Sequence, residues 1–127
     1  MKRYKVFVIE DNRTEGLLLQ LALSSLSNLD IVTVATGQDF LDRIDEKPDI
    51  AIIDLNLPDM TGLELIRYIR KESLKMRIVV VSAQRDMDML AEVQAEGVYN
   101  YLVKSEACLT YLHQVVEDLL IVMEHKK

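Results

Sequence analysis

The amino-acid sequence predicts an α/β protein built on a doubly wound parallel sheet. Three observations predict it. Five short strand-like runs, four of them rich in β-branched residues, alternate with five segments of helical periodicity. The third run, Ile50-Ala51-Ile52-Ile53, is apolar throughout, as a strand covered on both faces has to be. No linker or low-complexity segment interrupts the 127 residues, which are the size of one domain, and half of them are apolar.

The elements follow in order. Val6-Phe7-Val8-Ile9 is the first strand and leads into Glu10-Asp11-Asn12. A helix is expected from Arg13 to about Ser27, with Asn12 as N-cap and Glu15 three residues later. Ile31-Val32-Thr33-Val34 is the second strand, and Thr36-Gly37-Gln38-Asp39 starts a short helix with Phe40, Leu41 and Ile44 on one face. Pro48 closes the connection to the third strand, which ends on Asp54. After a Pro58 turn, Thr61-Gly62-Leu63-Glu64 has the spelling of a capping box and opens a helix to about Lys71, with Leu63, Ile66 and Ile69 inward. Arg77 to Ser82 is the fourth strand. A helix from about Arg85 to Glu96 then stops at Gly97, a natural C′ residue. Tyr99 to Val103 is the fifth strand, ending at Lys104, and Ser105 is expected to cap a last helix that reaches about Glu124. For five strands wound in this way the flavodoxin-like order 2-1-3-4-5 follows, with five helices and right-handed crossovers.

That order decides where the polar strand ends meet. Strands one and three are neighbours at the switch point, so Glu10, Asp11 and Asp54 share one crevice. Ser82 approaches from the fourth strand, and Lys104 reaches in from the edge on its flexible stem. Taken singly, each has a plainer account: a strand-ending acid that caps a turn, a capping serine, a solvated lysine. Their convergence on one rim points to a site instead. Three adjacent carboxylates repel one another unless a cation joins them, and hard oxygens with neither Cys nor His favour Mg²⁺. The Ser82 hydroxyl and the Lys104 ammonium suit the oxygens of a phosphoryl group.

These residues resemble the receiver domain of two-component response regulators, the CheY-like superfamily, over essentially the whole chain. The resemblance is carried by Glu10-Asp11, by the run Ile52 to Leu65 around Asp54, by Ser82-Ala83, and by Tyr101-Leu102-Val103-Lys104. It implies that residues 1–127 form a single receiver domain with no output domain in this chain. It implies a phosphorylation-dependent switch, a regulatory phosphoacceptor and not an enzyme, in which Asp54 accepts a phosphoryl group from a sensor histidine kinase or phosphotransfer protein. Glu10, Asp11, Asp54 and the backbone carbonyl of Asn56 would hold Mg²⁺ (or Mn²⁺). Lys104 would pair with phosphoryl oxygens, Ser82 and Tyr101 would be the switch pair, and Asn56 and Gln84 would tune self-dephosphorylation. The output face would be the fourth helix, fifth strand and last helix, open to a homodimer or an output domain. One departure stands out: the family usually has Pro after the lysine, often in a cis peptide, and here it is Ser105. A cis bond to serine would cost about 3 kcal/mol, so a trans peptide or a strained turn is expected.

Composition narrows the partners. The net charge of −6 argues against direct nucleic-acid binding. The single cysteine, Cys108, excludes an internal disulfide and falls in an apolar stripe, where it reads as a core residue. No apolar run is long enough for a membrane span, and a cytoplasmic location is expected. In the last helix Leu109, Leu112, Val116, Leu119 and Met123 form a seam, widened by Cys108, Tyr111, Val115 and Val122. The competing reading from the same residues is a Mg²⁺-dependent aspartyl-phosphate phosphohydrolase. Such enzymes usually carry a second Asp two residues after the nucleophile, where this chain has Asn56. A nucleotide- or flavin-binding module is disfavoured because no glycine follows the first strand in Glu10 to Glu15.

Overall fold

A computed structural model of the chain describes residues 2–72, 75–83 and 86–125. The strands are β1 (Tyr4–Ile9), β2 (Leu29–Val34), β3 (Ile50–Ile53), β4 (Arg77–Ser82) and β5 (Asn100–Val103). The helices are α1 (Arg13–Leu23), α2 (Gly37–Leu41), α3 (Gly62–Glu72), α4 (Met87–Ala95) and α5 (Cys108–His125), with a 3₁₀ turn over Ile44–Glu46. All strand pairs are parallel, in the order β2-β1-β3-β4-β5. The order expected from the sequence is therefore the observed one.

The sheet sorts its side chains by the two-residue period of a strand. Phe7, Ile9, Ala51, Ile53, Ile78 and Val80 pack on one face, under Phe40 of α2, Leu63, Ile66 and Ile69 of α3 and Val93 of α4. Val6, Val8, Ile50, Ile52, Val79 and Val81 pack on the other, under Leu19 and Leu23 of α1 and Cys108, Leu112, Val116 and Leu119 of α5. Every residue of β3 is buried, as its uninterrupted apolar run requires.

The helix starts follow local capping chemistry. The Asn12 side chain accepts from the Glu15 N–H, Thr36 from the Asp39 N–H and Asp86 from the Asp88 N–H. At α3 the capping box is complete: Thr61 Oγ1 accepts from the Glu64 N–H at 3.1 Å, and the Glu64 carboxylate accepts from the Thr61 N–H at 3.2 Å. Gly97 takes the left-handed backbone (φ 78°) just past α4.

Three expectations change. Helix α1 ends at Leu23 and not near Ser27, because Ser24 turns back onto the Leu21 carbonyl with both its N–H and its hydroxyl. Helix α5 begins at Cys108, three residues after Ser105, which contributes its carbonyl to the Cys108 N–H instead of capping the helix directly. The buried stripe of α5 also runs differently: Leu120 is buried, Leu109 and Met123 are half-buried, and Tyr111, Ile121 and Val122 face outward. The Lys104–Ser105 peptide is trans. The expected start of α4 at Arg85 lies outside the described residues, as does Gln84. No described helix is long and apolar enough to cross a membrane.

Candidate functional site

Register builds the site. Ile9 pairs with Ile53, and the Asp54 N–H donates to the Ile9 carbonyl at 3.1 Å, so the residues after the two strands sit side by side. Glu10, Asp11 and Asp54 each present a carboxylate oxygen within 4.8 Å of the others. Glu10 and Asp54 are buried and Asp11 is exposed. The Asp54 carboxylate is fixed from its own loop, where Oδ1 accepts from the Asn56 N–H at 3.1 Å. That loop is folded tightly. The Gly62 N–H bonds the Leu55 carbonyl at 2.8 Å, and a Cβ at Gly62 would stand 2.6 Å from the Leu55 Cα. Only glycine allows the backbones to approach so closely.

Lys104 crosses the rim from β5, anchored by its N–H on the Ser82 carbonyl at 2.9 Å. Its Nζ reaches Glu10 Oε1 at 2.8 Å, Asp54 Oδ2 at 3.0 Å and Glu15 Oε2 at 3.0 Å. Four carboxylates, counting Asp11, thus gather around one ammonium. The charge states follow from that imbalance. Burial pushes the Glu10 carboxyl up to about 7, against the pull of Lys104 and of the Asn12 N–H on its other oxygen. Burial alone would lower the Lys104 ammonium, but its bonds to Glu10, Asp54 and Glu15 outweigh it and the net displacement is upward. The two directions agree: a cation with surplus partners stays charged, while a buried acid with a share of one cation does not ionise easily.

Ser82 is fully buried at the end of β4, and its side chain interacts with the half-buried Tyr101 of β5. Burial raises the Tyr101 hydroxyl, with the charge of Asp54 adding to the same effect. The structure therefore brings Glu10, Asp11, Asp54 and Lys104 together directly, and sets Ser82 and Tyr101 as an interacting pair beside them. Asn56 joins through its backbone N–H, and its side of the loop is exposed.

Two contributors were not read from the sequence as site residues. Glu15, taken as a helix-start residue, sends its side chain to Lys104. The Asn12 N–H bonds Glu10 Oε2 at 3.2 Å, which leaves the Glu15 carboxylate to Lys104. Asp59 accepts from the Gly37 and Gln38 N–H groups at 3.0 and 2.9 Å, clamping the acceptor loop onto the start of α2. No local pattern announces either contact: Glu15 and Lys104 are 89 residues apart, and Asp59 lies 22 and 21 residues from Gly37 and Gln38. A cavity of about 860 Å³ opens at the opposite end of the sheet, among Lys2, Lys47, Asp49 and Arg77, and shares no residue with this cluster.

Comparisons with known proteins give the family and the fold. The family model for the response regulator receiver domain matches residues 6–117. The regulatory protein LuxO of Vibrio cholerae is 32% identical over 98 residues, which are 76% of this chain and 21% of LuxO. The transcriptional regulatory protein CitT of Halalkalibacterium halodurans is 31% identical over 107 residues, 81% of this chain and 46% of CitT. The chain thus spans between a fifth and a half of the length of these relatives. Among solved structures, the phosphorylated cyanobacterial phytochrome response regulator RcpA superposes with a TM-score of 0.79 at 26% identity, covering 98% of this chain and 96% of RcpA. The CheY-like receiver domain protein of Methanospirillum hungatei superposes with a TM-score of 0.89 at 19% identity, covering 99% and 100%, and shows the shared fold. With the family model matched over residues 6–117 and the sheet in the order β2-β1-β3-β4-β5, the chain belongs to the receiver domain family of two-component response regulators.

Proposed function

We propose that Asp54 is the phosphoacceptor of this receiver domain and that a sensor histidine kinase or phosphotransfer protein is its donor. The observation that carries the reading is Lys104 Nζ bonded at once to Asp54 and Glu10, with Asp11 completing the acidic trio. A carboxylate oxygen of Asp54 attacks phosphorus, the P–N bond to the donor imidazole breaks, and its electron pair stays on the imidazole. Lys104 is already in hydrogen-bond reach of the acceptor and stabilises charge on the transferring group. Ser82 and Tyr101 then report the new group. Helix α4 buries only Val93, so it is the element most easily displaced by such a change.

Glu10, Asp11 and Asp54 fit a divalent cation. They are hard oxygen ligands close together, and with Glu15 they outnumber the one ammonium among them. The receiver-fold protein Rcp1 is known in a Mn²⁺-bound form. Glu10, Asp11, Asp54 and the Asn56 carbonyl would hold Mg²⁺ or Mn²⁺, which when bound would offset charge on the phosphoryl oxygens. The chain's own chemistry is confined to taking up and releasing this one group.

Two surfaces suit partners. Leu17, Leu18 and Leu21 are exposed on α1, the helix that follows Glu10 and Asp11, and suit a helix of the donor protein. Met87, Tyr99, Tyr111 and Val122 are exposed on the face made by α4, β5 and α5, and suit a second copy or an output domain. The test is incubation with acetyl phosphate and Mg²⁺ followed by intact mass. A single base-labile phosphoryl group is expected, absent in Asp54→Asn and in chelator. Labelling that persists in Asp54→Asn would overturn the assignment.

A further inference from the structure

We propose that Glu15 is a positioning residue for phosphoryl transfer: its carboxylate holds Lys104 and competes with the incoming group for that ammonium. The proposal rests on the reading of Asp54 as acceptor.

An ammonium has three N–H donors. Those of Lys104 match three carboxylate oxygens at 2.8, 3.0 and 3.0 Å. A phosphoryl group brings new oxygens that need donors, so one existing bond has to be given up. The three are not equal. Glu10 and Asp54 are buried, and an unpaired buried charge is costly. The Glu15 side chain is 43% exposed and returns to water when released. Glu15 is also the one partner of the three outside the acidic trio, and it comes from α1, not from a strand end.

The helix does not need this side chain for its start. The α1 cap is made by the Glu15 backbone N–H on Asn12 Oδ1 at 3.0 Å. Glu15 also lines a cavity of about 310 Å³ with Leu18, Val81, Lys104 and Leu109. An anionic donor approaching Asp54 meets the Glu15 charge as well as a lysine already engaged by it.

The test is a double-mutant cycle read in two ways. With acetyl phosphate and Mg²⁺, the acceptor oxygen bonds phosphorus as the donor's P–O bond breaks and acetate leaves with the electron pair. Glu15→Gln is expected to raise the rate of this labelling about three- to tenfold, the scale of one removed charge near the surface. In a Lys104→Ala background the same change is expected to have no effect. Separately, in chelator and without donor, acylation of Lys104 by an amine-reactive ester is followed by peptide mass spectrometry against Lys47. Glu15→Gln is expected to speed Lys104 acylation several-fold with the melting temperature nearly unchanged. Unchanged acylation, or equal acceleration of phosphorylation with and without Lys104, would overturn the proposal. If the wild type takes up no phosphoryl group, the acceptor assignment fails, and the acylation result still decides whether Glu15 holds Lys104.

Discussion

Two ion-pair clusters in this molecule use the same contacts and reach opposite results. At the acceptor rim, Lys104 meets Glu10, Asp54 and Glu15 at 2.8–3.0 Å. Near the far end of the sheet, Glu46 meets Arg43 at 2.6 Å and Lys5 at 3.0 Å. Glu10 is pushed up to about 7, whereas Arg43 and Lys5 together pull Glu46 down to about 2. Distance does not separate the two cases. Glu46 is one half-exposed acid between two cations. Glu10 is one of several acids sharing a single cation, with a side chain only 1% exposed. The surface cluster is at rest, while the rim holds excess negative charge that another cation can relieve.

The largest break in that comparison removes the one cation. Lys104→Ala leaves Glu10 and Asp54 buried without their shared partner, and a loss of about 3 kcal/mol or more is expected in urea melts at pH 8 in chelator. Mg²⁺ or a lower pH is expected to restore most of it. A loss equal at pH 5 and pH 8 would mean that packing of the stem, not charge, is responsible.

Next comes the pH dependence of the intact rim. The Glu10 pKa is higher folded than unfolded, so the folded state binds the extra proton between them. Its contribution is fully present below about 4.5 and lost as pH rises through 7, an expected decline of about 3 kcal/mol in metal-free protein. Glu10→Gln is expected to flatten that limb. For the same reason Mg²⁺ affinity by calorimetry is expected to be about tenfold weaker at pH 6 than at pH 8, because the metal has to displace the Glu10 proton.

The smallest effect is at Glu46. Its pKa is lowered in the folded state, so its contribution is present above about 4.5 and lost as pH falls toward 2. Glu46→Gln is expected to lower stability slightly above about pH 4.5, to leave it unchanged near pH 2, and to do less as salt is added. An effect at pH 8 comparable to that of Lys104→Ala would erase the contrast between the clusters.

Much of this was legible before any coordinates. The β3 run, the Thr61–Glu64 box and the Asn12 and Thr36 caps are local, and local chemistry is what a one-dimensional pattern records. The strand order then carried Glu10, Asp11, Asp54 and Lys104 to one rim. What was not legible depends on partners brought close only by folding. Glu15 has the spelling of a helix-start residue and becomes a lysine partner. Asp59 looks like a turn acid and holds the start of α2. Arg70, in the last turn of α3, donates from its guanidinium to the carbonyls of Glu96, Met76 and Gly97 at 2.8–3.0 Å, contacts that no local pattern marks.

The grip of Arg70 has a mechanical consequence. Helix α4 is tethered at its C-terminal end through Glu96 and Gly97, while Met87 at its opposite end is 72% exposed and Val93 alone is buried. A rod clamped at one end and lightly seated along its length answers a push by tilting about the clamp, not by sliding or detaching. A small rearrangement near Ser82 would therefore be felt most at the end nearest the rim and least where Arg70 holds.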